Sequence, residues 1–306
     1  MKTFFLKLIL LGLIIMLPIW LFGQFDNIDR SYSNNLNIAK FREIKQLGPL
    51  DYLIVGNSYA YSSVDPRRLA RLGKQAYNLG VAAAGVDSYE IIIDDYLKLA
   101  PQRPKNLLIL ISPMTFSSMS DNFESYPIHR YLNQPLPNEY LLVKFNLPEI
   151  YIKLLKKSSA KGFKHLLLRS NASAGDKEIR YQGFIPNNDV YNDGVYRKEK
   201  YMYEGFKKDV FPFNKARYLL GLAKQYEKAG LPVVFYEPPT FKLNEFFSRQ
   251  YLSDYEKTVK MIQGEKFTVI RYPDQLGAKY FRNIDHMNSK GAKIFTDYLI
   301  KQLGLY

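Results

Sequence analysis

A serine nucleophile needs an abrupt turn to present its hydroxyl, a histidine to take its proton and a polar group to orient that histidine. Ser58 meets the first requirement. It closes the stretch "YLIVGNSYAYS" (residues 52–62), in which an apolar run of four residues stops at Gly56-Asn57-Ser58. The chain offers three histidines as possible bases: His129, His165 and His286. His129 and His165 both lie in a long central insertion. His286 lies in "FRNIDHMNSKGAKIF", just ahead of a helical pattern near the C-terminus. There are no cysteines, which removes thiol nucleophiles, disulfides and thiolate metal sites together. No metal-ligand cluster or phosphate-binding loop is visible, so no cofactor is expected.

The elements that must position Ser58 and His286 can be read from apolar patterning. Continuous apolar runs at residues 51–56, 76–80, 106–112, 232–239 and 267–273 read as buried strands. Helical patterns separate them at residues 66–73, 89–100 and 214–230, and a last one follows at 289–304. The order is βαβαβ, an insertion at roughly residues 113–212, then αβαβα. Strands that are apolar throughout and alternate with helices predict a parallel sheet covered on both faces. The insertion has its own helical pattern, followed by a Tyr-, Asn- and Gly-rich stretch, and reads as a lid beside the strand ends. In open parallel sheets, sites form at the C-terminal ends of strands. Ser58, Gly80 in "YNLGVAAAG" and Ser112 all fall there, and the loop carrying His286 opens on the same side.

Hydrophobic residues make up 47% of the 306-residue chain, enough for a substantial core. Residues 4–22, "FFLKLILLGLIIMLPIWLF", are long and apolar enough to cross a bilayer. Bulky residues occupy the exit where a signal cleavage site wants small ones, which favours a retained anchor over a removed signal. Lys2 and Lys7 before or within its start, with Asp26 and Asp29 after it, orient the remaining chain away from the cytoplasm. The expected organisation is residues 1–23 as membrane anchor or signal, 24–49 as linker and 50–306 as one domain containing the insertion. The formal charge is +14, yet no nucleic-acid-binding signature accompanies it. Scattered solubilising lysines account for that charge, as does a surface facing anionic lipid or glycan.

Ser58, Gly80 and His286, in this order and on these elements, resemble the SGNH (GDSL-type) hydrolase superfamily. "GNS" stands where that family has Gly-Asp-Ser, "NLGVAAAGVDS" resembles its second block and "DHMNSKGA" its last. The resemblance runs from about residue 50 to the C-terminus, interrupted by the insertion. It implies a flavodoxin-like three-layer α/β fold with a parallel central sheet. It also implies Ser58 as nucleophile, His286 as base, and an oxyanion hole built from the Ser58 and Gly80 amides. With the apolar N-terminus, the layout is similar to membrane-tethered members that transfer D-alanine to teichoic acid or acetylate exported polysaccharides such as alginate. That implies acyl transfer to, or ester hydrolysis on, an envelope glycan outside the cytoplasm, with a membrane-bound acyltransferase as a possible partner and no nucleic acid.

Two departures bear on the chemistry. The family's third block carries an Asn that donates to the oxyanion. Here the strand end reads "ISPMTF", leaving the hydroxyls of Ser112 or Thr115. The family's last block has Asp three residues before its His, and here that residue is Asn283, with Asp285 adjacent to His286. Charge favours Asp285 as the orienting group. Position favours Asn283 and weighs more, because neighbouring side chains generally point apart and a carboxylate that cannot reach the ring contributes little through solvent. Ser58 could instead cap the helix that follows it. The contrasting reading is a catalytically silent SGNH-fold subunit that binds glycan or a membrane partner. Glu237, at a strand end beside two prolines, is a further cleft-lining candidate, and Asp94 and Asp95 read as solvated.

Overall fold

A computed structural model describes residue 40, residues 43–81, 84–117, 181–192, 194, 196 and 203–306. All of them belong to one compact unit, Leu36–Tyr126 with Asp176–Tyr306. The apolar segment 4–22, His129 and His165 lie outside the described residues. Among the described residues no helix is long and apolar enough to cross a membrane.

Five strands form one parallel sheet: β1 (Tyr52–Val55), β2 (Ala76–Asn78), β3 (Asn106–Leu110), β4 (Val233–Glu237) and β5 (Thr268–Arg271), in the order β2-β1-β3-β4-β5. This is the flavodoxin-like arrangement, whose order reverses between β1 and β3. The apolar runs become central strands because both faces are covered. Leu53, Ile54, Val55 and residues 107 to 110 of β3 are fully buried. Each such aliphatic side chain contributes about 1.5–3 kcal/mol relative to exposure.

Among the described residues the α-helices are α1 (Ser58–Ser63), α2 (Pro66–Ala70), α3 (Val86–Leu99), α4 (Pro113–Phe116), α5 (Phe213–Lys228), α6 (Arg249–Gly264) and α7 (Ser289–Gln302). Helix α7 packs on α1 and α2, while α3 packs on α5 and α5 on α6. With this strand order, the right-handed crossovers that parallel strands adopt as a rule would put these two groups on opposite faces of the sheet. Helix α6 is the one that the alternating order required between β4 and β5. Its buried stripe is Tyr251, Tyr255, Val259 and Ile262, at helical spacing but half aromatic.

Three expectations are modified. Lys40 and Ile44 are fully buried, so the packed body begins within the stretch 24–49 that reads as linker. Asp94 is not simply solvated: it accepts from Tyr226 Oη of α5 at 3.0 Å, and burial raises its carboxyl above the ordinary range. The returning end of the insertion also does more than cover the strand ends. Asn78 N of the edge strand β2 donates to Gln182 O at 2.9 Å, and Ile185 N donates to Tyr61 O at 2.9 Å. Gly183 has φ +82°, and a Cβ there would stand 1.9 Å from Asn78 O, so the return segment needs glycine to lie this close.

Candidate active site

The turn after β1 is built by close approach. A Cβ on Gly56 would fall 2.6 Å from Leu110 Cβ and 2.8 Å from Ala60 Cβ. Asn57 caps α1, its Oδ1 accepting from Tyr59 N at 3.0 Å. Ser58 is therefore the first residue of the helix and not its cap, because Asn57 holds that role. The Ser58 side chain is half-buried and, among the described residues, its hydroxyl has no hydrogen-bond partner. Its backbone N–H, at the open start of α1, has no backbone acceptor there either.

The histidine loop is equally local in origin. An antiparallel bridge between Phe281 and Met287 closes it, and Arg282 N donates to His286 O at 3.0 Å. Buried Asn288 caps α7 through Oδ1, accepting from Lys290 N and Gly291 N, while its Nδ2 donates to Lys279 O at 2.9 Å and Asp189 O at 3.1 Å. Within the loop, Asp285 Oδ1 lies 2.5 Å from His286 Nδ1. Asn283 Oδ1 accepts from His286 N at 2.7 Å and lies 3.2 Å from the same Nδ1.

This reverses the weighting of the two orienting candidates. The bridged loop turns Asp285 inward, 3% exposed, so adjacency in sequence does not keep it from the ring. Asn283 shapes the loop through the His286 N–H and stands second on the ring. Two phenols complete the carboxylate. Tyr203 Oη donates to Asp285 Oδ2 at 2.6 Å and Tyr59 Oη donates to the same atom at 3.1 Å. Burial pushes the Asp285 carboxyl up, but the His286 ring and the two phenol hydroxyls outweigh it and hold the group below its usual range.

The Tyr59 ring also meets His286 edge-on, with centroids 5.1 Å apart. Because Tyr59 follows Ser58, one residue joins the Ser58 turn to the imidazole and to its carboxylate. Among the described residues, buried His286 Nε2 has no hydrogen-bond partner. With Nδ1–H directed to Asp285, the neutral ring presents its lone pair at Nε2. No hydrogen bond joins Ser58 to His286, so both ends of the expected proton transfer are unengaged.

The other oxyanion candidates are placed differently from expectation. Gly80 N already donates to Asn78 Oδ1 at 3.0 Å, so that amide is not free for an oxyanion. Glycine is required there for another reason: a Cβ would fall 2.9 Å from both Asn57 O and Tyr61 N. Ser112 caps α4, its Oγ accepting from Thr115 N at 3.2 Å and pairing with Thr115 Oγ1 at 3.0 Å, so both hydroxyls serve the cap. The free Ser58 N–H is the donor that remains. Asn78, fully buried, was not foreseen. Its Nδ2 bonds Ala60 O at 2.8 Å and Val64 O at 2.9 Å, tying β2 to α1. Tyr59 and Tyr203 were not foreseen either, and among 25 tyrosines no spacing marks them out.

Glu237 faces its neighbouring strand. Arg271 Nε lies 2.6 Å from Glu237 Oε2, out of line for a hydrogen bond, while the same guanidinium makes two 2.8 Å bonds to Glu256. Burial raises the Glu237 carboxyl to about 7 despite that cation. Among the described residues no cluster of His, Asp or Glu could hold a metal ion.

No family model matches this chain, and no curated protein matches its sequence. Among solved structures it is similar to a candidate platelet activating factor from Streptococcus pneumonia, with TM-score 0.46 and 9% identity over 92% of this chain and 96% of that one. It is also similar to a candidate GDSL-like lipase from Parabacteroides merdae ATCC 43184, with TM-score 0.41 and 14% identity over 84% of this chain and 98% of that one. Neither similarity speaks to the chemistry of this chain.

Proposed function

We propose that this chain is an SGNH-type serine esterase or O-acyltransferase acting on an envelope or exported polysaccharide. The observation that carries the reading is the imidazole of His286: Nδ1 on the buried, phenol-bonded Asp285 and Nε2 unengaged, beside the turn that presents Ser58. In the first step Ser58 Oγ attacks an acyl carbonyl and its proton passes to His286 Nε2. Asp285 stabilises the imidazolium, and the Ser58 N–H faces the developing oxyanion. The alcohol leaves with the proton from Nε2. Water or a sugar hydroxyl then attacks the acyl-Ser58 ester, with His286 again taking and returning a proton. A cleft that excludes water would favour transfer over hydrolysis.

The glycan and the location rest on the sequence. The apolar segment 4–22 serves as anchor, the domain faces the periplasm or cell exterior, and a membrane-bound acyltransferase would supply the acyl group. The net charge of +14 and the 25 tyrosines suit an anionic or sugar-rich partner.

Ser58→Ala tests the chemistry. It should abolish turnover of p-nitrophenyl acetate and labelling by a fluorophosphonate, with the circular dichroism spectrum unchanged. Retained turnover would remove Ser58 as nucleophile. A specific observation favours a second reading, a silent glycan-binding subunit: Ser58 and His286 are not hydrogen-bonded, and the Gly80 N–H and Ser112 hydroxyl are engaged elsewhere. A wild-type chain inert to both reagents would support it. Apo sites often carry long catalytic contacts that tighten with substrate, so the enzyme reading stands first.

A further inference from the structure

Lys40 is a buried charged group that the mechanism above leaves unused. Its side chain has no exposed surface. Its Nζ donates to Gly80 O at 2.8 Å and lies 5.2 Å from the centre of the Tyr61 ring. An ammonium removed from water is costly unless it is bonded and balanced. Nearby Glu43, whose carboxylate accepts from Tyr77 Oη at 2.7 Å, contributes to that balance. Burial raises the Glu43 carboxyl, with Tyr77 and then Lys40 opposing that rise.

What this ammonium holds is specific. The Gly80–Val81 peptide is pinned at both ends: its oxygen accepts from Lys40, and its N–H, on Val81, donates to Gly56 O at 2.9 Å. Gly56 is two residues before Ser58. On the other side, Tyr61 belongs to α1, which Ser58 begins. The Lys40 head therefore touches the loop after β2 and the helix of the nucleophile together, where Gly80 approaches Asn57 O and Tyr61 N too closely for any side chain.

We propose that Lys40 is a positioning residue: through the Gly80–Val81 peptide it fixes the turn that presents Ser58. This rests on the serine reading above, and it goes further by giving a residue upstream of the sheet a part in setting the site. Without the ammonium, Gly80 O is buried with no donor, and the peptide loses the restraint that keeps Val81 N–H on Gly56 O.

The test uses the full chain with Lys40→Met, which keeps the apolar stem and removes the charge, and Lys40→Gln, which keeps a neutral donor. For Lys40→Met, kcat on p-nitrophenyl acetate should fall about 10–100-fold with KM within about threefold. Fluorophosphonate labelling of Ser58 should slow by the same factor, and the Val81 amide should lose hydrogen-exchange protection. Lys40→Gln should lie between wild type and Lys40→Met on all three readouts. Unchanged Val81 protection in Lys40→Met would overturn the clamp. Lost protection with unchanged kcat and labelling would overturn its catalytic consequence. If neither variant folds, Lys40 is a folding residue only and the proposal is overturned. A wild type that is neither labelled nor active removes the serine reading by itself, and Val81 exchange still decides whether the clamp exists.

Discussion

Replacing Asp285 by Asn keeps the side-chain shape and removes the charge that faces the imidazole. The local hydrogen bonds determine what happens next. Tyr59 and Tyr203 both donate to Oδ2, so the asparagine carbonyl would take that side and its NH2 would turn to His286 Nδ1. A donor facing Nδ1 forces the proton to Nε2, and the lone pair that should accept from Ser58 is lost. The charge effect adds to this. With the imidazolium and carboxylate centres roughly 4 Å apart and an effective dielectric near 20, their attraction is about 4 kcal/mol. At about 1.4 kcal/mol per decade, kcat should fall on the order of a thousandfold. The assay is p-nitrophenyl acetate turnover across pH, with fluorophosphonate labelling to count competent sites. Asn283→Ala, which leaves the Asp285–His286 contact in place, should cost about tenfold by loosening the loop. An Asp285→Asn chain within tenfold of wild type, alongside a larger loss in Asn283→Ala, would refute the assignment and return the orienting role to Asn283.

Tyr203→Phe removes one of the two donors on Asp285 Oδ2 and should lower kcat about tenfold while raising the Asp285 pKa, read by carboxyl NMR. An unchanged carboxyl shift would show that Tyr203 does not hold the group. Glu237 titrates at about 7 in the fold against a reference of 4.5, so its protonated form stabilises the fold fully at low pH and that contribution is lost as pH rises through 7. The loss is at most about 3 kcal/mol. Glu237→Gln should flatten the fall in Tm between pH 5 and 8, and an identical slope in variant and wild type would defeat this. N-terminal sequencing of protein from membranes should begin at or near Met1, because residues 4–22 are expected to be retained, and a start near Gln24 would show a cleaved signal.

The sheet was legible because burial on both faces leaves one pattern, continuous apolar runs, and each of the five runs became a strand. Ser58 and His286 stood out as candidates because each follows or precedes such an element at a chemically distinctive point, and the fold adds the partners of the His286 ring. What was not legible is where hydrogen bonds go. Gly80 marks a tight approach in either reading, but only the fold shows that Asn78 Oδ1 takes its N–H. Ser112 looks the same in sequence whether its hydroxyl is free or capping α4. The choice between Asp285 and Asn283 turned on the Phe281–Met287 bridge, a pairing across one loop that no periodicity announces. The stretch 24–49 read as linker because its polarity hid two buried residues, Lys40 and Ile44.

The Asp285–His286 pair before the last helix draws its phenol partners from distant parts of the chain: Tyr59 near the start of the domain and Tyr203 at the return of the insertion. Contacts so far apart in sequence form late in folding, because long loops must close before they are gained. A chain emerging N-terminus first would therefore carry the Ser58 turn well before His286 is in place. Until the insertion has folded back, Asp285 lacks one of its two phenol donors. On the proposed serine reading, Ser58 would have no proton acceptor until the final segment docks. The order of synthesis would then act as a safety catch, arming the serine only when the whole domain is complete.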